Sequence, residues 1–392
     1  MKRLHADVIT KYFYPVTAGI ETNIKETYKF LEKGDWDILI HTSKDIYTEK
    51  NTLDDTDEIE GIKIQRYPFT KLGYWPKINW NETDIVCLHN FDMFPYFQML
   101  LYILYLKITR RKKFALVLTP HGGYNPTWDI YSPLQKFIKQ TYNALIGTPL
   151  IILTVDGVRA VSEWEKKEMM RKGINEKLIS VISNGIESEA YLDIDKLAST
   201  EIKKRVKGFG SYILQIGRIY EIKNYETTIR ALPKIRADIN FLIVGPIADQ
   251  AYKDSLIALA KSLGVEKRLI FGGVIRGVDK YYVIKHAQLM VHMAIWESFC
   301  NAVHEGMSQG LICVVANNTA LPLLVKDGKN GYLVDTFDSE MLQKKVNYVV
   351  EHMATNEMKN MKKENLAFGL KDSWESTSKK MDTFYKQSIK KV

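Results

Sequence analysis

At 392 residues the chain is long enough for two domains with substantial cores, and 46% apolar and 26% charged residues mark an ordinary soluble globular protein. Lysine and arginine (55) exceed aspartate and glutamate (46) by nine, a balance that suits phosphorylated donors or anionic membrane surfaces. No nucleic-acid-binding motif accompanies that charge, so nucleic acid is not an expected partner. Three cysteines, Cys87, Cys300 and Cys313, cannot all pair with one another and show no CxxC or metal-ligand spacing, which is reducing-compartment usage. Lys2 and Arg3 lead into His5 and Asp7 instead of an apolar run. No signal peptide is therefore expected, and the cytosol or the cytosolic face of a membrane is the expected location.

Residues 4–10 predict a first strand and 20–33 a helix, joined by a loop containing Gly19. Strand, glycine-bearing loop and helix is an arrangement that brings backbone N–H groups up to a phosphate. The absence of G-x-G-x-x-G argues against a dinucleotide dehydrogenase. Short apolar runs at 36–41, 62–67, 84–89 and 114–119 alternate with helical or loop stretches and predict a parallel sheet. Residues 42–61 and 68–83 read as long loops on the acceptor side. The run 94–108 is the most apolar helix candidate; it is too short to span a bilayer and is followed by Arg110, Arg111, Lys112 and Lys113. It reads as a core helix, with docking on an anionic membrane surface as the sharper alternative.

The strand at 114–119 ends in Thr119-Pro120-His121-Gly122-Gly123, which puts His121 at the carboxyl end of a parallel strand. Ser162 and Glu165 form a capping-box pattern, and Asn184-Gly185 is a turn signal. The polar stretch 187–207 reads as an interdomain linker and helix. A strand at 211–216 leads into Gly217-Arg218-Ile219-Tyr220-Glu221-Ile222-Lys223. Two cations five residues apart across a strand-to-helix turn can grip both phosphates of a diphosphate and neutralise charge growing on a leaving group. Further strands are expected at 241–246, 270–275, 288–293 and 311–316.

Between the last two lies Ile295-Trp-Glu297-Ser-Phe299-Cys300-Asn301-Ala-Val-His-Glu305-Gly306. With 300–308 helical, Glu297 and Glu305 lie at most about 12 Å apart along the axis, a fair length for a nucleotide sugar. Carboxylates accept hydrogen bonds from hydroxyl pairs at either end. The N–H groups of Phe299, Cys300 and Asn301 offer an anion site between them. Residues 373–391 predict a final helix.

These motifs resemble glycosyltransferase family 4, retaining enzymes with an E-x7-E signature. The resemblance covers nearly the whole chain. It implies the α/β GT-B architecture, two Rossmann-like domains facing each other across a deep cleft. The expected domains are 1–190 on the acceptor side, with helix 373–392 packing back on it, and 208–372 for the nucleotide sugar. By the same resemblance Arg218 and Lys223 (G-R-x-x-x-x-K) hold the donor pyrophosphate, His121 approaches the transferred sugar, and Glu297 binds that sugar. Glu305 holds the ribose, Gly19 faces the diphosphate, and Val274 and Ile275 contact the base. The chain departs from the family pattern in having Ala18 beside Gly19 where a Gly-Gly pair is usual. It also has Thr319-Ala320-Leu321-Pro322-Leu323 for G-G-x-P-E, and Ala294 where a Ser is frequent.

The expected activity is sugar transfer from a nucleoside diphosphate donor, with UDP favoured over GDP, to a hydroxyl of a glycan or glycolipid. No metal or other cofactor is expected. The readings left open are a catalytically silent nucleotide-sugar-binding subunit and a GT-B phosphorylase or UDP-sugar epimerase.

Overall fold

A computed structural model describes residues 3–16, 18–46, 50–91, 93–122 and 132–392. The chain falls into two compact units, Met1–Gly185 with Trp374–Val392, and Ile186–Ser373.

The first unit carries β1 (Leu4–Ile9), β2 (Trp36–Ser43), β3 (Thr56–Ile59), β4 (Ile62–Tyr67), β5 (Ile85–His89), β6 (Ala115–Thr119), β7 (Gly157–Ala160) and β8 (Ile179–Val181). They form one sheet in the order β3-β4-β2-β1-β5-β6-β7-β8. All pairings are parallel except β3 with β4. β5 and β6 are buried at every position, which is why they read as unbroken apolar runs.

β3 overturns the expectation of a loop over 42–61. Its residues Thr56, Asp57 and Glu58 are exposed on the sheet edge, so no hydrophobic period marks the strand. Its register with β4 closes at Ile59 opposite Ile62. The two residues between them, Glu60 and Gly61, have φ of +53° and +87°, the backbone that twisted two-residue hairpins require.

The helices of this unit are α1 (Gly19–Glu32), α2 (Tyr96–Ile108), α3 (Pro133–Tyr142), α4 (Thr148–Thr154) and α5 (Glu163–Arg171), plus the C-terminal helix Trp374–Ile389. That last helix packs on α1: Ser378 Oγ donates to Thr27 O (2.9 Å), and Met381, Phe384 and Tyr385 join Tyr28 and Trp36 in one core. α2 buries Tyr96, Met99, Leu100, Ile103 and Leu106 against a second core, as a core helix should, but only on one side. No described helix is long and apolar enough to cross a membrane.

Asn184 does more than turn the chain. Its Oδ1 accepts from Asn23 Nδ2 (2.6 Å) and from the fully buried Arg159 (3.1 Å), locking the end of the first unit to α1 and β7.

The second unit contains β9 (Ser211–Ile216), β10 (Ile239–Val244), β11 (Leu269–Gly273), β12 (Leu289–His292), β13 (Cys313–Ala316) and β14 (Gly331–Val334). All are parallel, in the order β11-β10-β9-β12-β13-β14. Counted within the unit this is 3-2-1-4-5-6, the Rossmann order, whose direction reverses between β9 and β12.

The stretch 187–207 contains the expected helix but belongs to the second unit instead of linking the two. It forms short helical turns at Ser188–Tyr191 and Ile194–Leu197 and the helix Thr200–Phe209. Ion pairs Lys280–Glu187 (2.6 Å) and Lys285–Asp195 (2.5 Å) fasten it to the rest of that unit.

Candidate active site

In an open α/β sheet, ligands bind beyond the carboxyl ends of the strands where the order reverses. The loop after β9 carries Arg218 and Lys223, and the loop after β12 carries Glu297, so three of the expected residues meet that rule at one switch point. The backbone there is tightly built. Gly217 N donates to Val244 O (2.9 Å), and a Cβ placed on Gly245 would lie 2.0 Å from Gly217 O, so only glycine fits. The turn Glu221–Lys223 ends in Asn224, whose left-handed φ of +48° suits asparagine better than most residues.

The buried Asn224 amide donates to Met293 O (2.9 Å) and Thr336 O (2.8 Å), while its Oδ1 accepts from Thr227 Oγ1 (2.9 Å). Gln215 Nε2 donates to Lys223 O (2.8 Å), and Ile295 N donates to Ile222 O (2.9 Å). The basic loop and the acidic loop are thus held together by their own backbones.

Lys223 Nζ lies 2.5 Å from Glu297 Oε1, and His292 Nε2 lies 2.7 Å from the same oxygen. The Glu297 N–H donates to Thr319 Oγ1 (3.1 Å). Burial pushes the Glu297 carboxyl up, but Lys223 and His292 together hold it down to about 2, so it is ionised at neutral pH. Burial keeps His292 below the usual imidazole range, despite Glu297. Cys300 is pushed well above the usual thiol range by burial and by Glu297. His292, Glu297 and Cys300 are the one group of metal-ligand residue types that come together among the described residues, with ligand atoms within 4.8 Å. The ammonium of Lys223 already supplies a cation to that cluster.

The helix Asn301–Ser308 starts from Cys300, whose φ of +77° is strained for a side-chain-bearing residue. Phe299 and Cys300 are buried and Asn301 opens the helix. Glu305, one helical turn further on, pairs with Lys280 (3.2 Å), and Lys280 reaches Glu187 as well. Burial and the neighbouring Glu187 raise the Glu305 carboxyl while Lys280 opposes them. Val274 is exposed and Ile275 partly exposed in the irregular segment after β11. Thr319, in the place of a family glycine, takes a φ of +44°.

In the first unit Gly19 is the exposed first residue of α1; Thr17 of its loop, and Gly123 beside His121, lie outside the described residues. His121 follows β6 with a φ of +48°. Its Nε2 lies 2.9 Å from Nδ1 of His89, the last residue of the adjacent β5. His89 Nε2 is 2.8 Å from Tyr28 Oη, and that hydroxyl is 2.7 Å from Tyr385 Oη. Burial, then His89 and Arg159, hold His121 well below the usual imidazole range, while burial and Arg159 lower His89 to about 3. Both rings are neutral, and one nitrogen of the pair donates to the other.

The loop itself is pinned by Glu165. Its carboxylate accepts from Gly122 N–H and from Val161 N–H (2.7 Å), while Ser162 Oγ accepts from Glu165 N (3.2 Å). The capping pattern of Ser162 and Glu165 does not disclose the bond to Gly122, and no motif in the chain marks His89, Lys280 or Glu187. His89 was open to the argument that selected His121, since it too ends a parallel strand.

Two tandem Rossmann-type units, the second with cations and a carboxylate at its switch point, define a two-domain α/β protein of GT-B type. Known proteins agree. Residues 17–190 match Glycosyltransferase Family 4 and residues 199–367 match Glycosyl transferases group 1, and the chain belongs to these group 1 glycosyltransferases. An uncharacterized glycosyltransferase of Methanocaldococcus jannaschii is 23% identical over 99% of this chain and 100% of its own length. A Campylobacter jejuni enzyme is 25% identical over 52% of this chain and 54% of its own length. Its name is N-acetylgalactosamine-N,N'-diacetylbacillosaminyl-diphospho-undecaprenol 4-alpha-N-acetylgalactosaminyltransferase. Among solved structures, Anabaena HepE in complex with UDP and glucose superposes with a TM-score of 0.74 at 18% identity, covering 98% of this chain and all of that one. Sucrose-phosphate synthase from Thermosynechococcus elongatus gives 0.76 at 15% identity over the full length of both.

Proposed function

We propose that this glycosyltransferase moves a hexose from a UDP-sugar to a hydroxyl of a glycan or glycolipid with retention of anomeric configuration. The observation that carries the reading is the Lys223–Glu297–His292 cluster at the switch point of the second sheet, with Arg218 on the same loop as Lys223. Arg218 and Lys223 bind the donor diphosphate and stabilise the charge that collects on it as the bond from the anomeric carbon to the phosphate oxygen breaks. N–H groups of Phe299, Cys300 and Asn301 add to that field, so the chemistry is met without a metal.

When the phosphates take Lys223, the ionised Glu297 is released to accept hydrogen bonds from sugar hydroxyls. Glu305 binds the ribose and Lys280 keeps it oriented. Val274 and Ile275 meet the base, Gly19 faces the diphosphate, and His121 meets the sugar. The acceptor oxygen bonds to the anomeric carbon on the face the diphosphate leaves, and its proton passes to a phosphate oxygen of that leaving group. Preference for uridine is supported by the UDP complexes of HepE, and a lipid-borne acceptor by the name of the Campylobacter relative. Cys87, Cys300 and Cys313, all unpaired and buried, suit a cytoplasmic enzyme.

A thermal-shift screen of UDP- and GDP-sugars tests the reading. A UDP-sugar at 100 times its dissociation constant should stabilise the fold by about 2.7 kcal/mol. A shift with GDP-sugars alone would overturn the choice of base, and no shift with either would overturn the donor site.

A further inference from the structure

The face built by α2, α3 and α4 of the first unit is apolar, and the described protein leaves it uncovered. α3 is a well-made helix, with Pro133 in its first turn and a reciprocal capping box between Ser132 and Gln135, yet Tyr142 is its only buried residue. Leu134 (68% exposed), Phe137 (66%) and Ile138 lie on one side of it in water. The chain stays helical through 143–147 into α4, so 133–154 is one continuous helical arm that also exposes Leu145 (71%) and Leu153. α4 packs on α2, and Lys107 Nζ donates to Leu153 O (2.8 Å). α2, whose Phe97 ring meets Tyr142 of α3, exposes Leu101, Tyr105 and Ile108, spaced i, i+4 and i+7. Exposed apolar groups scattered singly need no explanation, but this many on helices that touch one another point to an interaction site.

Charge decides what it meets. From residue 93 to residue 155 the sequence has seven basic residues and one acidic residue, Asp129. Lys107, Arg110, Arg111 and Lys113 are exposed at the end of α2, and α3 carries Lys136 and Lys139. A second copy of the chain would bring like charges together on this face, whereas an anionic bilayer offers acyl chains to the apolar side and phosphates to the cations. We infer that the α2–α3–α4 face is a peripheral docking surface for an anionic lipid bilayer, with Leu134, Phe137 and Leu145 entering the headgroup boundary.

The test is sedimentation of the full-length protein with phosphatidylcholine vesicles, alone or with about 30% phosphatidylglycerol. No sugar donor is present, so the outcome does not depend on the reading of the active site. Binding to the anionic vesicles should exceed that to neutral ones about tenfold and fall in about 0.5 M salt. The double variant Leu134→Asp/Phe137→Asp should lose about tenfold in binding while keeping its melting temperature, since both side chains are exposed in the native protein. As a second readout, Phe137→Cys carrying an environment-sensitive fluorophore should brighten on anionic vesicles; the three native cysteines are buried. A wild-type protein that stays in the supernatant would overturn the inference, as would a double variant that binds as well as wild type. Lipid-free dimers abolished by that variant would assign the face to a second copy instead.

Discussion

Lys223 Nζ sits 2.5 Å from Glu297 Oε1, joining the loop after β9 to the loop after β12. Each side chain is largely buried and each neutralises the other, so neither can be removed without exposing the charge of its partner. Lys223→Ala and Glu297→Ala should each lower transfer by about a hundredfold or more if, as proposed, both groups contact the donor where its charge develops. The variants should still fold, since Gln215 and Asn224 hold the loop by backbone and amide contacts that do not involve the ion pair. A double-mutant cycle on thermal stability should show coupling of about 1–3 kcal/mol. Wild-type turnover in either purified single variant would remove the pair from the active site.

The same carboxylate sets a pH dependence. Its value of about 2 in the folded state lies below its ordinary 4.5. A depressed carboxylate contributes stability that is fully present above 4.5 and is lost as the pH falls from 4.5 towards 2. Glu297→Gln should therefore flatten the acid limb of the stability profile by an amount on the order of 2 kcal/mol. Chemical denaturation of the two proteins at matched pH between those values measures it. Parallel acid limbs would mean that Lys223 and His292 do not hold the carboxylate ionised.

Asn224→Ala should destabilise the protein by about 2–4 kcal/mol, more than a surface change would. The substitution removes two donors from the carbonyls of Met293 and Thr336 and one acceptor from Thr227. It also leaves alanine in the left-handed region. Loss of donor affinity should accompany the loss of stability, because Lys223 precedes this residue. Asn224→Gly, which keeps the backbone but not the amide, should recover part of the stability and little of the hydrogen bonding. Denaturant midpoints of the three proteins measure the difference.

How much of this could be read from the chain depends on the kind of contact. β5 and β6 were legible because burial on both faces leaves unbroken apolar runs, whereas β3 was not, because an exposed edge strand has no apolar face to show. Arg218, Lys223 and Glu297 were legible because fixed spacing along the chain places them at strand ends. Lys280 and Glu187 were not, since Lys280 meets Glu305 and Glu187 only once elements distant in the chain have folded together. Glu165 was legible only as a cap because its further partner, Gly122, comes from the turn after β6.

His89 supplies the last prediction. Its Nδ1 is 2.9 Å from His121 Nε2 and its Nε2 is 2.8 Å from Tyr28 Oη, so the ring fixes both the orientation of His121 and the nitrogen on which His121 carries its proton. The groups around it are Tyr28 from α1, Tyr385 from the C-terminal helix, Arg159 from β7 and Tyr96 from α2, whose hydroxyl donates to the His89 carbonyl. None is a carboxylate, and both imidazoles stay neutral across the physiological range. His89 is therefore a positioning residue for the sugar-facing His121 of the proposed reaction. His89→Phe, which keeps a ring and removes both nitrogens, should lower kcat by about ten- to a hundredfold. UDP affinity should change little, because most of the residues proposed to bind the nucleotide belong to the second unit. His89→Asn, whose amide can stand in for Nδ1, should restore part of the rate. A phenylalanine variant with wild-type kcat would show that His121 needs no such support. A fall in kcat that merely followed a fall in melting temperature, with no recovery in the asparagine variant, would make His89 a core residue and nothing more.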